Sequence, residues 1–133
     1  MEKEFVPYEQ ALELKEIGFD EPCFAYYENN NLTVIFPSKS SNGWKWVGNS
    51  IIPAKNINAP TLSQAFRWFR EKYEMTSEVC ISQYRRADIN KWMYSITYLE
   101  RMTYSYSETT YNTYEEAELE CLKKLIEIVK QKQ

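Results

Sequence analysis

The chain has 133 residues, 44% apolar and 26% charged, with a formal charge of −3, a globular composition that excludes an intrinsically disordered chain. No run approaches the roughly 20 consecutive apolar residues of a membrane-spanning helix, and Met1-Glu2-Lys3-Glu4 lacks the basic-then-apolar start of a secretory signal; one domain over 1–133, working in the cytoplasm, is expected. Histidine is absent and Cys23, Cys80 and Cys121 form no CxxC pair, which removes imidazole chemistry and the usual zinc and iron sites, so no cofactor and no metal are expected.

The first helix is predicted over 7–18, with Pro7 at its start, Tyr8, Ala11, Leu14 and Ile17 on one face, and Gly18 as the stop. Cys23 to Tyr27 and Leu32 to Phe36 are short β-prone runs around Asn29-Asn30-Asn31, a hairpin pattern. The stretch from Pro37 to Pro60 is rich in Ser and Asn and reads as a long loop, with one short edge strand at Trp44-Lys45-Trp46-Val47 after the Asn42-Gly43 turn. Thr61 and Gln64 match a capping box for a second helix, in which Leu62, Ala65, Phe66, Phe69 and Tyr73 form the apolar stripe and Trp68 lies off it; Phe66 and Phe69 are expected in the core.

Three strands follow, at 79–84, 92–99 and 102–107. In the middle one Trp92, Tyr94, Ile96 and Tyr98 alternate with Met93, Ser95, Thr97 and Leu99, giving one aromatic face that the helices are expected to cover. The last helix has Thr113 and Glu116 as a second capping box and a broad apolar arc of Ala117, Cys121, Leu122, Leu125, Ile126, Ile128 and Val129. Glu118 falls inside that arc and is expected to pair with an Arg, a Lys or a Tyr hydroxyl from the sheet. Together these elements predict an α+β fold with a mixed or antiparallel sheet of four to six strands and three helices mainly on one face.

Phe5-Val6-Pro7-Tyr8, Gly18 to Cys23, Ala59-Pro60 with Gln64 to Tyr73, and Tyr114 to Val129 resemble segments of a family of small uncharacterised proteins from Bacteroidetes genomes and their phages. The resemblance implies a phage or prophage origin and assigns no site residues.

Residues 67–101 hold seven basic against five acidic side chains, a weak positive balance compared with the clustered basic faces that bind nucleic acid. The order helix, three strands, helix over 61–130 is that of double-stranded RNA-binding domains, yet Glu115, Glu116, Glu118 and Glu120 stand where those domains carry phosphate-gripping lysines, so double-stranded RNA is not an expected ligand. Asp20, Glu21 and Asp88 are the loop carboxylates that could converge as acid and base, and Cys80 is the remaining nucleophile.

Trp44 and Trp46 in a polar region and Arg85 and Arg86 beside a turn are the residue types most enriched at binding hot spots. They are the candidate partner-binding surface of a non-enzymatic accessory protein that binds another, unidentified protein. A weak nucleic-acid binder using the aromatic sheet is the alternative, and a carboxylate- or Cys80-dependent enzyme comes third.

Overall fold

Local sequence signals set most of the element ends. In a computed structural model of the chain, residues 2–35, 38–40, 43–45, 55–82 and 90–133 are described, the two short central pieces as backbone only. They form two compact units, 1–65 and 66–133, divided inside the second helix.

In the first unit a 3₁₀ turn (Glu2–Glu4) precedes helix α1 (Tyr8–Glu16). Gly18, at φ 100°, ends it: the Gly18 N–H donates to the Lys15 carbonyl and the Phe19 N–H to that of Leu14, the paired bonds of a Schellman cap. Ala11, Leu14 and Ile17 are buried as the periodicity predicts. Strands β1 (Ala25–Glu28) and β2 (Asn31–Val34) form the anticipated hairpin. Asn29 and Asn30 both take positive φ, 48° and 70°, which a two-residue turn requires and asparagine tolerates. Strands β3 (Ser38–Ser40) and β4 (Gly43–Lys45) make a separate antiparallel ribbon, and β5 (Ile57–Asn58) adds to the free side of β1, giving the order β2-β1-β5. Helix α1 packs against β5, and the Tyr27 hydroxyl donates to the Val6 carbonyl at 2.7 Å inside this core.

The second helix, α2 (Leu62–Tyr73), is capped as predicted on one side, since Thr61 Oγ1 accepts from the Gln64 N–H at 3.2 Å. The reciprocal bond does not form; the Gln64 amide reaches the Pro22 carbonyl instead, at 2.7 Å. Trp68 is a correction: it is buried along with Phe69, while Phe66 is half-buried. Trp68 packs edge-on against Phe69 and Tyr73, 5.1 and 5.3 Å between ring centres, so the apolar surface of the helix is wider than one stripe.

A single residue, Glu74, in the left-handed region at φ 54°, joins α2 to β6 (Met75–Ile81). Strands β7 (Trp92–Tyr98) and β8 (Thr103–Tyr106) complete an antiparallel meander, β6-β7-β8. Helix α3 (Tyr114–Lys132) starts at its Thr113 cap and lies against β6 and β7, burying all seven residues of the predicted arc. The Glu118 carboxylate meets the Tyr114 hydroxyl, one turn back on its own helix.

The protein is thus α+β, with three α-helices and antiparallel strand pairs throughout the described residues. The expected single sheet of four to six strands is replaced by two sheets of three and a two-stranded ribbon. The reason is connectivity: α2 separates the strands into two sets along the chain, and among the described residues each set pairs within itself.

Candidate functional site

The register of the second sheet decides which side chains share a face. Tyr98, Ile96 and Tyr94 stand opposite Met75, Ser77 and Val79 on β6, and this face carries α3. Tyr94 and Ile96 are buried, Tyr94 stacks on Tyr111 with 6.2 Å between ring centres, and Trp92 meets Tyr114 edge-on. Burial raises the Tyr94 phenol above its ordinary range, with Tyr111 adding to the effect. The aromatic face therefore packs beneath a helix, and base stacking on it would require α3 to leave.

The opposite face differs. It presents Thr97, Ser95, Tyr104 and Tyr106 beside a buried Met93, and β8 is its outermost strand among the described residues. All of β8 is exposed, with Tyr104 at 64% and Tyr106 at 47%; the hairpin tip before it adds Leu99 at 46% and Met102 at 78%. Tyr104 and Tyr106 contact each other edge-on at 5.4 Å.

Backbone polarity follows from the ladder. Ser107 N–H donates to the Tyr94 carbonyl at 2.8 Å and Leu99 N–H to that of Glu74 at 3.0 Å, so the even residues of β7 bond towards β8 and the odd ones towards β6. Alternation then turns Thr103 and Ser105 inward and leaves the N–H and C=O of Tyr104 and Tyr106 pointing out of the sheet. The exposed run is short. Beyond Ser107 the chain bulges, because Trp92 pairs with Tyr111 while Tyr94 pairs with Ser107, setting three residues, 108–110, against Met93 alone. The bulge helps enclose a cleft of about 360 Å³, lined by Tyr94, Ser105, Tyr106, Glu108, Thr109, Tyr111 and Lys124.

The thiols divide by burial. Cys23 and Cys121 are buried and burial pushes each up to about 12, which removes the thiolate a nucleophile needs. Cys80 is half-buried on the face that α3 leaves uncovered. Glu21 accepts from the Gln64 amide at 3.4 Å, while Asp88 lies outside the described residues. Among the described residues no cluster of three or more cysteine or carboxylate side chains could hold a metal ion, and no helix is long and apolar enough to cross a membrane.

Of the four residues proposed from sequence, Trp44 is placed by its backbone in β4, opposite Lys39. Trp46, Arg85 and Arg86 lie outside the described residues. The β8 strand was not singled out, although one signal for it existed: Thr103-Tyr104-Ser105-Tyr106-Ser107 carries no charge and closes the meander among the described residues.

No protein-family model, no curated protein and no solved structure matches the chain.

Proposed function

We propose that the protein is a non-enzymatic accessory protein that binds another polypeptide, and that the contact is made along the exposed strand β8. The setting implied by the sequence resemblance is a phage or prophage. The observation that carries the reading is the combination, in β8, of complete exposure with two residues whose backbone groups point outward and whose side chains are tyrosines. Native sheets usually protect such an edge with lysine, proline or a covering element, and β8 has no charge or proline of its own. Added strands gain affinity from main-chain bonds and selectivity from alternate side chains, and Tyr104 and Tyr106 supply that alternation.

The test is selection from a random peptide library displayed on phage, followed by amide NMR with the selected peptides. Enriched peptides should alternate apolar and polar residues and shift the Tyr104 and Tyr106 amides. Tyr104→Pro should abolish that binding while keeping the fold, because the lost N–H donates to nothing within the sheet. Peptides that shift only resonances elsewhere, or equal binding by the proline variant, would overturn the reading.

A further inference from the structure

Beyond the polypeptide contact, we infer that the seam between α3 and β8 is a binding groove for a short, uncharged oligosaccharide. Helix α3 rests on β6 and β7. The register sets the side chains of Thr103 and Ser105, opposite Tyr98 and Ile96, on the helix side of the sheet, and both are exposed there. Two clefts open along this seam: the one of about 360 Å³ at Tyr94 and Ser105, and a second of about 270 Å³ at Tyr98 and Thr103, with Ile128, Gln131 and Lys132 as its helix wall. They lie on one line. Tyr94 and Tyr98 are four residues apart on β7, about 13 Å at the rise of a strand. Lys124, Ile128 and Lys132 follow at four-residue intervals on α3, about 12 Å from first to last.

The lining selects the ligand. Three carboxylates, Glu74, Glu100 and Glu108, are matched by three cations, Arg101, Lys124 and Lys132, and Lys124 is itself bonded to Glu127 at 3.2 Å. A polyanion or a polycation therefore meets no net field of the opposite sign. Ile128 is the one aliphatic side chain in the two linings, so an apolar ligand would bury polar groups without partners. Hydroxyls dominate instead: five of the seven side chains around the first cleft carry one, and Tyr73, Tyr98 and Thr103 bring three more to the second. A hydroxyl both donates and accepts, as a sugar hydroxyl does, and the tyrosines add ring surface for the C–H face of a sugar. The Lys132 ammonium, 5.7 Å from the centre of the Tyr98 ring, keeps a strong donor at the rim. Both clefts lie near the lower end of small-ligand sites, which start at roughly 300 Å³, so a chain with rings in each fits the groove better than one large ligand.

Amide NMR of the full chain, titrated with cellotetraose, maltotetraose, xylotetraose and chitotetraose up to about 10 mM, tests the inference. At least one of these should shift Ser105 and Thr109 together with Thr103 and Arg101 on a single binding curve. Its own monosaccharide, which engages one cleft alone, should bind at least about tenfold more weakly. Ser105→Trp fills the first cleft from an exposed position and should weaken binding by about tenfold or more, and Thr109→Ala, which loses one hydroxyl on the bulge, by about three- to tenfold. Glu78→Gln, on the opposite face of the sheet, should bind as the parent does. No shift with any of the four, shifts confined to one cleft, tighter binding of the anionic tetragalacturonate, or unchanged binding by both cleft variants overturns the groove. Library peptides that bind while every sugar fails would remove the groove and leave the polypeptide contact standing.

Discussion

The two faces of the second sheet use the same residue types for opposite purposes. Tyr94 on one face is buried under α3 and stacked on Tyr111; Tyr104 on the other is 64% exposed and meets the ring of Tyr106. Eleven tyrosines in a small chain therefore do not define one function. Position in the ladder decides whether the ring supplies core volume or a contact surface, since neighbouring residues alternate between faces and only one face meets the helix.

The largest expected effect is on the covered face. Ile96→Ala removes a fully buried side chain between α3 and the sheet and should cost about 2–5 kcal/mol, lowering the melting temperature by roughly 10 °C. A loss below about 1 kcal/mol would break the distinction between the faces.

Alkaline pH should act on the same side. The Cys121 thiol, on the buried side of α3, has its pKa raised by burial from 9.0 to about 12, and Cys23 in the first unit behaves alike. A raised folded value means that the unfolded chain loses its proton first, so this contribution is complete below pH 9 and disappears as pH rises towards about 12. The Tyr94 phenol, raised in the same direction, adds to the decline. Melting curves should be level from about pH 7 to 8 and fall above 9, and Cys121→Ala should shallow the fall; an unchanged slope in that variant would contradict the assignment.

The open side should respond weakly, and in one place favourably. Met102 holds a left-handed conformation at φ 50° while 78% exposed, so Met102→Gly relieves backbone strain with little burial to lose and should add about 0.5–1 kcal/mol in chemical denaturation. Smallest of all, Tyr104→Ala should change stability by no more than about 0.5 kcal/mol while weakening strand addition, a separation of folding from binding that Ile96→Ala cannot produce.

The sequence made the helices legible because their caps and apolar arcs are local: Thr113 and the seven buried residues of α3 were all readable, as was the Asn29-Asn30 turn. Strand limits were less so. β6 starts at Met75, four residues before the predicted start at 79, because the connection from α2 is a left-handed Glu74 with no glycine, proline or asparagine to mark it. β5 is two residues long and is a strand through its pairing with Tyr26 and Tyr27, a long-range partnership that local preference does not encode. Trp68 lies off the periodic stripe and is buried all the same, because aromatic packing spreads around the helix. For the site, the residue types favoured for binding pointed to Trp44, Trp46, Arg85 and Arg86, whereas the described edge lies at β8. Its composition was visible, but its exposure depends on strand order and on which face receives α3.

Strand order also bears on how the chain reaches its native state. β6 pairs with β7 and β7 with β8, each with the next strand along the chain, so that sheet grows by closing short loops. β5 reaches β1 only by joining Ile57 to Tyr27, thirty positions apart, and closing that larger loop carries a greater entropy cost. Pulse-labelled hydrogen exchange should protect the Ser107 amide before that of Ala59, whose bond to the Ala25 carbonyl depends on the long closure. The exposed strand β8 is then in place while the first sheet is still assembling, which makes the refolding chain, as much as the folded one, a target for strand capture.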